Sequence, residues 1–102
     1  MHRSTLLMVA AAGVLAAPVA QADEALLKKH NCVACHQMDK KVVGPAYKEV
    51  AKKYKGQKDI AVKLAEKVKK GGQGVWGPVP MPPNPQVPDA DNKKMVEFIL
   101  SR

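Results

Sequence analysis

Five consecutive residues carry the strongest chemical signal in the chain: Cys32-Val33-Ala34-Cys35-His36. Two thiols and an imidazole at the C-x-x-C-H spacing suit covalent attachment of a c-type haem. Each thiol adds across one haem vinyl group. Two intervening residues let one turn of backbone span the distance between the vinyls, and the next residue brings an imidazole beneath the ring, within reach of the iron. Other chemistries use the same residue types. A dithiol redox pair of the thioredoxin kind belongs in a βαβ context, which the sequence does not offer. A structural zinc site takes four ligands; Cys32, Cys35 and His36 are three, and adding His30 crowds four ligands into a single short stretch. A disulfide between Cys32 and Cys35 would close a tiny loop and stabilise little.

A low-spin haem carrier needs a second axial ligand on the face opposite His36. Met38 follows His36 too closely to reach that face. Met95 falls on the apolar stripe of a terminal helix, where methionine usually fills space. His30 lies on the wrong side of the thiols and reads as a solvated residue at a helix end. Met1 and Met8 fall in an N-terminal segment that is expected to be removed. Met81 remains, in a proline-stiffened loop that no helix claims. A thioether there favours reduced iron, and His/Met ligation raises the potential.

The elements that must position these residues read as helices. Asp23 to His30 has acids at its start and Lys28 and Lys29 at its end, which suits the helix dipole. Residues 38–45 form a loop ending in Gly44-Pro45. Tyr47, Val50, Ala51 and Tyr54 recur at helical spacing. Asp59 is placed to cap a third helix to about Lys70, striped by Ile60, Leu64 and Val68 and stopped by Gly71-Gly72. From Gly71 to Pro88 the prolines at 78, 80, 82, 83, 85 and 88 exclude a helix or a central strand. A loop of that length in so small a chain is usually functional or disordered; Val75, Trp76, Val79 and Met81 argue for an ordered one packed on something. Asp89 or Asp91 then caps a terminal helix with Met95, Phe98 and Ile99 on one face. No repeat, low-complexity tail or convincing strand is present.

Residues 1–22 read as a cleaved secretory signal peptide. His2 and Arg3 form the charged start, Leu6 to Ala17 is apolar apart from Gly13, and Ala20-Gln21-Ala22 is a small-x-small cleavage site. The apolar run is shorter than the roughly 20 residues of a membrane span. The full chain has 102 residues and a net charge of +8; removing residues 1–22 takes away one arginine and no acid, leaving residues 23–102 at +7. A chain that small usually needs a staple to hold a core, and with Trp 1, Tyr 2 and Phe 1 its own aromatic surface is slight. A bound macrocycle would supply the missing apolar surface. Export places the protein in the periplasm, where nucleic acid is rarely met, and no stacking aromatics interleave with its basic residues. The charge suits acidic docking surfaces on redox proteins, although lysines such as Lys28, Lys29, Lys55 and Lys58 also serve to solvate helix faces.

Four stretches together resemble the short bacterial class I c-type cytochromes, periplasmic monohaem carriers typical of denitrifying and respiratory bacteria. They are Cys32-Val33-Ala34-Cys35-His36, Val43-Gly44-Pro45-Ala46-Tyr47, Gln73-Gly74-Val75-Trp76-Gly77-Pro78 and Pro80-Met81-Pro82-Pro83-Asn84. The resemblance runs over Asp23 to Arg102. It implies an all-α cytochrome c fold, with about four short helices wrapped around one covalently bound haem c. It further implies that Pro45 accepts a hydrogen bond from His36, that Trp76 donates to a haem propionate and that Asn84 bonds near the Met81 sulfur. Lys67 falls where relatives often carry a propionate-binding arginine, and lysine lacks its bidentate fork. The function implied is one-electron transport by a monomer that makes no bonds and is not an enzyme. A quinol-oxidising complex is a candidate donor, and a nitrite reductase or terminal oxidase a candidate acceptor. The competing readings are a sensing or catalytic haem protein with an open or labile sixth site, and a haem-free dithiol protein.

Overall fold

The computed structural model describes residues 19–102. Four α-helices and one short 3-10 turn make up its regular structure: α1 (Val19–Lys29), the 3-10 turn (Cys32–Ala34), α2 (Tyr47–Tyr54), α3 (Ile60–Lys70) and α4 (Asp89–Leu100). Among the described residues there are no strands; only two isolated bridges occur, His36 with Lys41 and Gly72 with Met81. The all-α expectation holds, with every helix near its expected place. The expected leader, residues 1–22, lies almost wholly outside the described residues, and the expected cleavage point after Ala22 falls within α1. No described helix is long and apolar enough to cross a membrane.

The last helix holds the other three together. α4 packs against α1, α2 and α3, because Met95 and Phe98 are spaced to share one apolar face. They are buried with Leu27 of α1, Tyr47 of α2 and Val87 of the preceding loop. This core is small. α3 contributes no fully buried residue; its stripe residues Leu64 and Val68 are half-buried, since they turn toward a cavity.

The helix ends differ from the caps expected of Asp59, Asp89 and Asp91. Asp59 does occupy the N-cap of α3, but in a left-handed conformation (φ 61°) with no side-chain cap bond. Pro88 is the N-cap of α4, so Asp89 and Asp91 sit inside its first turn, where they complement the dipole instead of capping it. α2 begins without a capping side chain at all. Its first amides are satisfied from a distance: Tyr47 N–H donates to the Gln37 carbonyl at 2.9 Å and Lys48 N–H to the Met38 carbonyl at 3.2 Å. The start of α2 is thereby fastened to the two residues that follow His36.

His30 is not the solvated helix-end residue expected. Its side chain is 10% exposed, and Nε2 donates to Asp91 Oδ2 at 3.0 Å, tying the end of α1 to the first turn of α4. Asn92, also buried, donates through Nδ2 to the Ala65 carbonyl at 2.8 Å and ties α4 to α3. The hydrogen bond from His30, helped by the charges of Lys29, His30 and Lys94, holds the Asp91 carboxyl below its ordinary range. A carboxyl depressed in the folded state adds stability above its unfolded pKa, near 3.9, and loses it as the pH falls through the folded value. Asp91→Asn should therefore unfold more easily than the parent in denaturant near neutral pH. The difference should shrink under acid; an Asp91→Asn deficit of equal size at both pH values would count against the charged tie.

Candidate functional site

The thiols and imidazole of the sequence motif are presented by a tight turn between α1 and α2. Asn31 ends the first helix in the left-handed region (φ 61°), which asparagine tolerates better than most residues. The Cys32 carbonyl then accepts from the amides of Cys35 at 3.2 Å and His36 at 3.0 Å. One turn of chain thus separates the sulfurs. Both cysteines are free and half-exposed. Burial pushes the Cys32 thiol pKa up, with the neighbouring Cys35 adding to the rise against an opposing backbone hydrogen bond. A dithiol oxidoreductase needs the reverse, a depressed thiol.

The proton of the His36 ring can be placed. Nδ1 lies 2.8 Å from the Pro45 carbonyl oxygen, and a carbonyl only accepts, so Nδ1 is the protonated nitrogen. Nε2 is left with its lone pair, the form in which imidazole binds metal. Gly44 makes this approach possible. A Cβ on Gly44 would lie 2.5 Å from His36 Cε1 and 2.9 Å from Nδ1. Its amide also donates to the Cys35 carbonyl at 2.8 Å, folding the 38–45 loop back against the motif. The Tyr47 ring stacks on the imidazole, with centroids 5.5 Å apart and planes at 24°.

Met81 is held by backbone pairing. Its amide donates to the Gly72 carbonyl at 2.7 Å, and its carbonyl accepts from the Gly72 amide at 3.1 Å. This two-bond bridge pins the proline-rich loop to the end of α3. Gly71 permits the closeness: its φ is +73°, and a Cβ there would meet the Met81 carbonyl oxygen at 2.5 Å. Prolines at 80, 82 and 83 lock the flanking backbone.

Cys32, Cys35, His36 and Met81 all line one cavity of about 540 Å³, as do Pro45, Lys67 and Trp76. Its walls are largely apolar, with Leu64 and Val68 from α3 and Met95 and Ile99 from α4. That size and lining are typical of a cofactor site. Two free sulfurs, an unprotonated imidazole nitrogen and a thioether around apolar walls suit a haem better than a metal ion; among the described residues no His, Cys, Asp and Glu cluster could hold one. The stem of Lys67 runs beside Gly72. Trp76 is 40% exposed at the cavity, with the Lys53 ammonium 5.4 Å from its ring centroid. Asn84 stands outside the lining: its Nδ2 donates to the Pro82 carbonyl at 3.1 Å and its amide to the Val68 carbonyl at 2.9 Å.

Sequence reasoning missed two residues of this neighbourhood. Tyr47 was visible as an apolar position of α2 and as the end of the Val43-to-Tyr47 stretch, with no role toward His36, and Lys53 only as one of many lysines. The Gly44-Pro45 turn just before α2 was the available signal that Tyr47 would meet His36. Gly44→Ala should cost about 1–3 kcal/mol in denaturant unfolding, because the added methyl must displace the imidazole. Unchanged stability would mean the ring has room that its contacts do not suggest.

The sequence pattern of the Cytochrome c family matches residues 21–102. Cytochrome c-552 of Nitrosomonas europaea is 54% identical over 92 residues, covering 90% of this chain and 89% of its relative. Cytochrome c-551 of Pseudomonas aeruginosa is 48% identical over 99 residues, covering 95% and 94%. The crystal structure of the wild-type Nitrosomonas europaea cytochrome c552 superposes with a TM-score of 0.75, over 76% of this chain and 96% of that one. With such likeness in sequence over most of its length and in fold over three quarters of it, the chain belongs to the cytochrome c family.

Proposed function

We propose that the chain is a periplasmic one-electron carrier whose single haem c is joined to the Cys32 and Cys35 sulfurs and ligated by His36 Nε2 and Met81 Sδ. Membership of the family supports the carrier role and the covalent haem. The single observation that most favours the ligation is the His36 Nδ1 hydrogen bond to Pro45, which leaves Nε2 free beside two thiols and a thioether in one apolar cavity. When bound, the haem supplies an iron centre that takes up and releases one electron.

The protein's own residues do the rest. Pro45 holds the imidazole tautomer, and the Gly72 bridge holds Met81, so neither ligand needs to move between oxidation states. Met81 biases the centre toward the reduced form. Trp76 and Lys67, both at the cavity, are the proposed donors to the propionates. Asn84, whose side-chain amide donates to the Pro82 carbonyl, is the proposed hydrogen-bond partner near the Met81 sulfur. The chain forms and breaks no substrate bonds. Residues 1–22 are the exported protein's signal, cut after Ala22, and residues 23–102 are the working domain.

Electrons leave through an apolar rim. Val42, Val43, Val75, Trp76 and Val79 line the cavity and are each at least 40% exposed. Lys41 and Lys67 line the same cavity, and residues 23–102 carry a net charge of +7. That combination suits brief contact with acidic surfaces on redox proteins, a quinol-oxidising complex on the donor side and a nitrite reductase or terminal oxidase on the acceptor side.

Mass spectrometry of the exported protein should give a chain beginning at Asp23 plus one haem; a mature chain with no added haem overturns the reading. The reduced protein should bind carbon monoxide slowly, and Met81→Ala quickly. Rapid binding by the parent would instead assign an open sixth site. Electron-transfer rates with either class of partner should fall as ionic strength rises through roughly 0.1 M, where the screening length is about 10 Å. A rate indifferent to salt would refute steering by the lysines.

A further inference from the structure

Tyr47 has no part in the function so far, yet its ring is stacked on the His36 imidazole at 5.5 Å and 24°, and the residue is only 3% exposed. Its backbone is fixed as well: its amide donates to the carbonyl of Gln37, the residue next to His36. Its hydroxyl is buried and has no hydrogen-bond partner among the described residues. Buried tyrosine hydroxyls usually find a partner, so hydrogen bonding does not explain the tyrosine. What it offers His36 is a flat face.

A flat face answers a need that the Pro45 hydrogen bond leaves open. One hydrogen bond to a carbonyl sets which nitrogen carries the proton, but its angular preference is broad, so the imidazole can still swing about its bond to Cβ. A ring stacked against it resists that swing, because rotation would drive the edge of one ring into the face of the other. Gly44 crowds the Cε1 side of the same imidazole, which further narrows the arc.

We propose that Tyr47 is a positioning residue that sets the plane of the His36 imidazole, through its ring and not its hydroxyl. The inference rests on His36 being an iron ligand. Its consequence is electronic. The plane of a histidine ligand chooses the direction in which the unpaired electron of ferric iron spreads over the haem, and a plane held constant keeps that direction constant from one transfer to the next.

Proton NMR of the oxidised holoprotein with cyanide in place of the Met81 thioether reads this directly, since histidine is then the only planar axial ligand. The order and spread of the four haem methyl shifts report the imidazole plane. Tyr47→Phe should keep the parent pattern, and Tyr47→Leu should change the order or compress the spread. A Tyr47→Leu pattern identical to the parent overturns the proposal, as does a Tyr47→Phe pattern altered as much as that of Tyr47→Leu, which would assign the effect to the hydroxyl. Where Tyr47→Leu does not hold haem, Tyr47→Met fills the space without a planar ring and carries the same two outcomes. The parent protein supplies a test free of variants: in the reduced state the rings of Tyr47 and His36 should show mutual proton cross-relaxation, and its absence overturns the stack. Failure of the ligation reading looks different. In that case the His36 ring protons of the reduced parent would lack the large upfield shifts of an iron-bound imidazole.

Discussion

One proton decides whether this site can work. Of the two neutral tautomers of His36, the carbonyl of Pro45, 2.8 Å from Nδ1, selects the one that keeps the Nε2 lone pair free. Much of the local architecture follows from bringing that carbonyl to that nitrogen. The 38–45 loop must double back on the motif, which the Gly44 amide achieves by bonding to the Cys35 carbonyl. Gly44 must have no side chain, since the imidazole occupies its place. α2 must start directly afterwards, and its first amides find partners in the chain just past His36. A hydrogen bond that contributes little to stability by itself thus orders about a dozen residues.

The scaffold around this arrangement is lean. Five side chains form the buried cluster, through which α4 joins α1 and α2, while Val68 of α3 packs against it. Polar ties reinforce what the apolar contacts begin: His30 to Asp91 for α1 and Asn92 to Ala65 for α3. Leu64 meanwhile lines the cavity, and Val68 both lines it and packs against the cluster. Part of the apolar surface of the chain is committed to a cofactor, and a fold of this size would be marginal without one. Binding and folding are therefore one problem here, since a group held only by the folded chain stabilises it.

The chemistry was legible in the sequence because it is local. Cys32, Cys35 and His36 share one turn, and Met81 stands out among prolines that no helix could contain. Helix positions were legible from the recurrence of apolar residues, as with Tyr47, Val50, Ala51 and Tyr54. Helix ends were harder, because their amides are satisfied by distant carbonyls or by the dipole. Asp59, Asp89 and Asp91 look like capping residues, and none makes a cap bond. Contacts across the fold left no local trace. Nothing near His30 announces a partner sixty-one positions away, and Asn92 breaks the apolar pattern of a face on which it is nonetheless buried. Tyr47 satisfied the helical pattern so well that its contact with His36 was hidden.

The bridge between Gly72 and Met81 closes the intervening chain into a loop with both ends pinned. Such a loop tolerates change unevenly. Trp76 lines the cavity and Pro80 stiffens the chain beside Met81, while the backbone of Met81 itself is set by the bonds at the base. The exposed side chains Val75 and Val79 lie inside this closed segment. The bonds at the base and the exposed side chains between them are thus distinct features of one segment: Val75 and Val79 can vary in shape while the backbone at Met81 stays tied to Gly72.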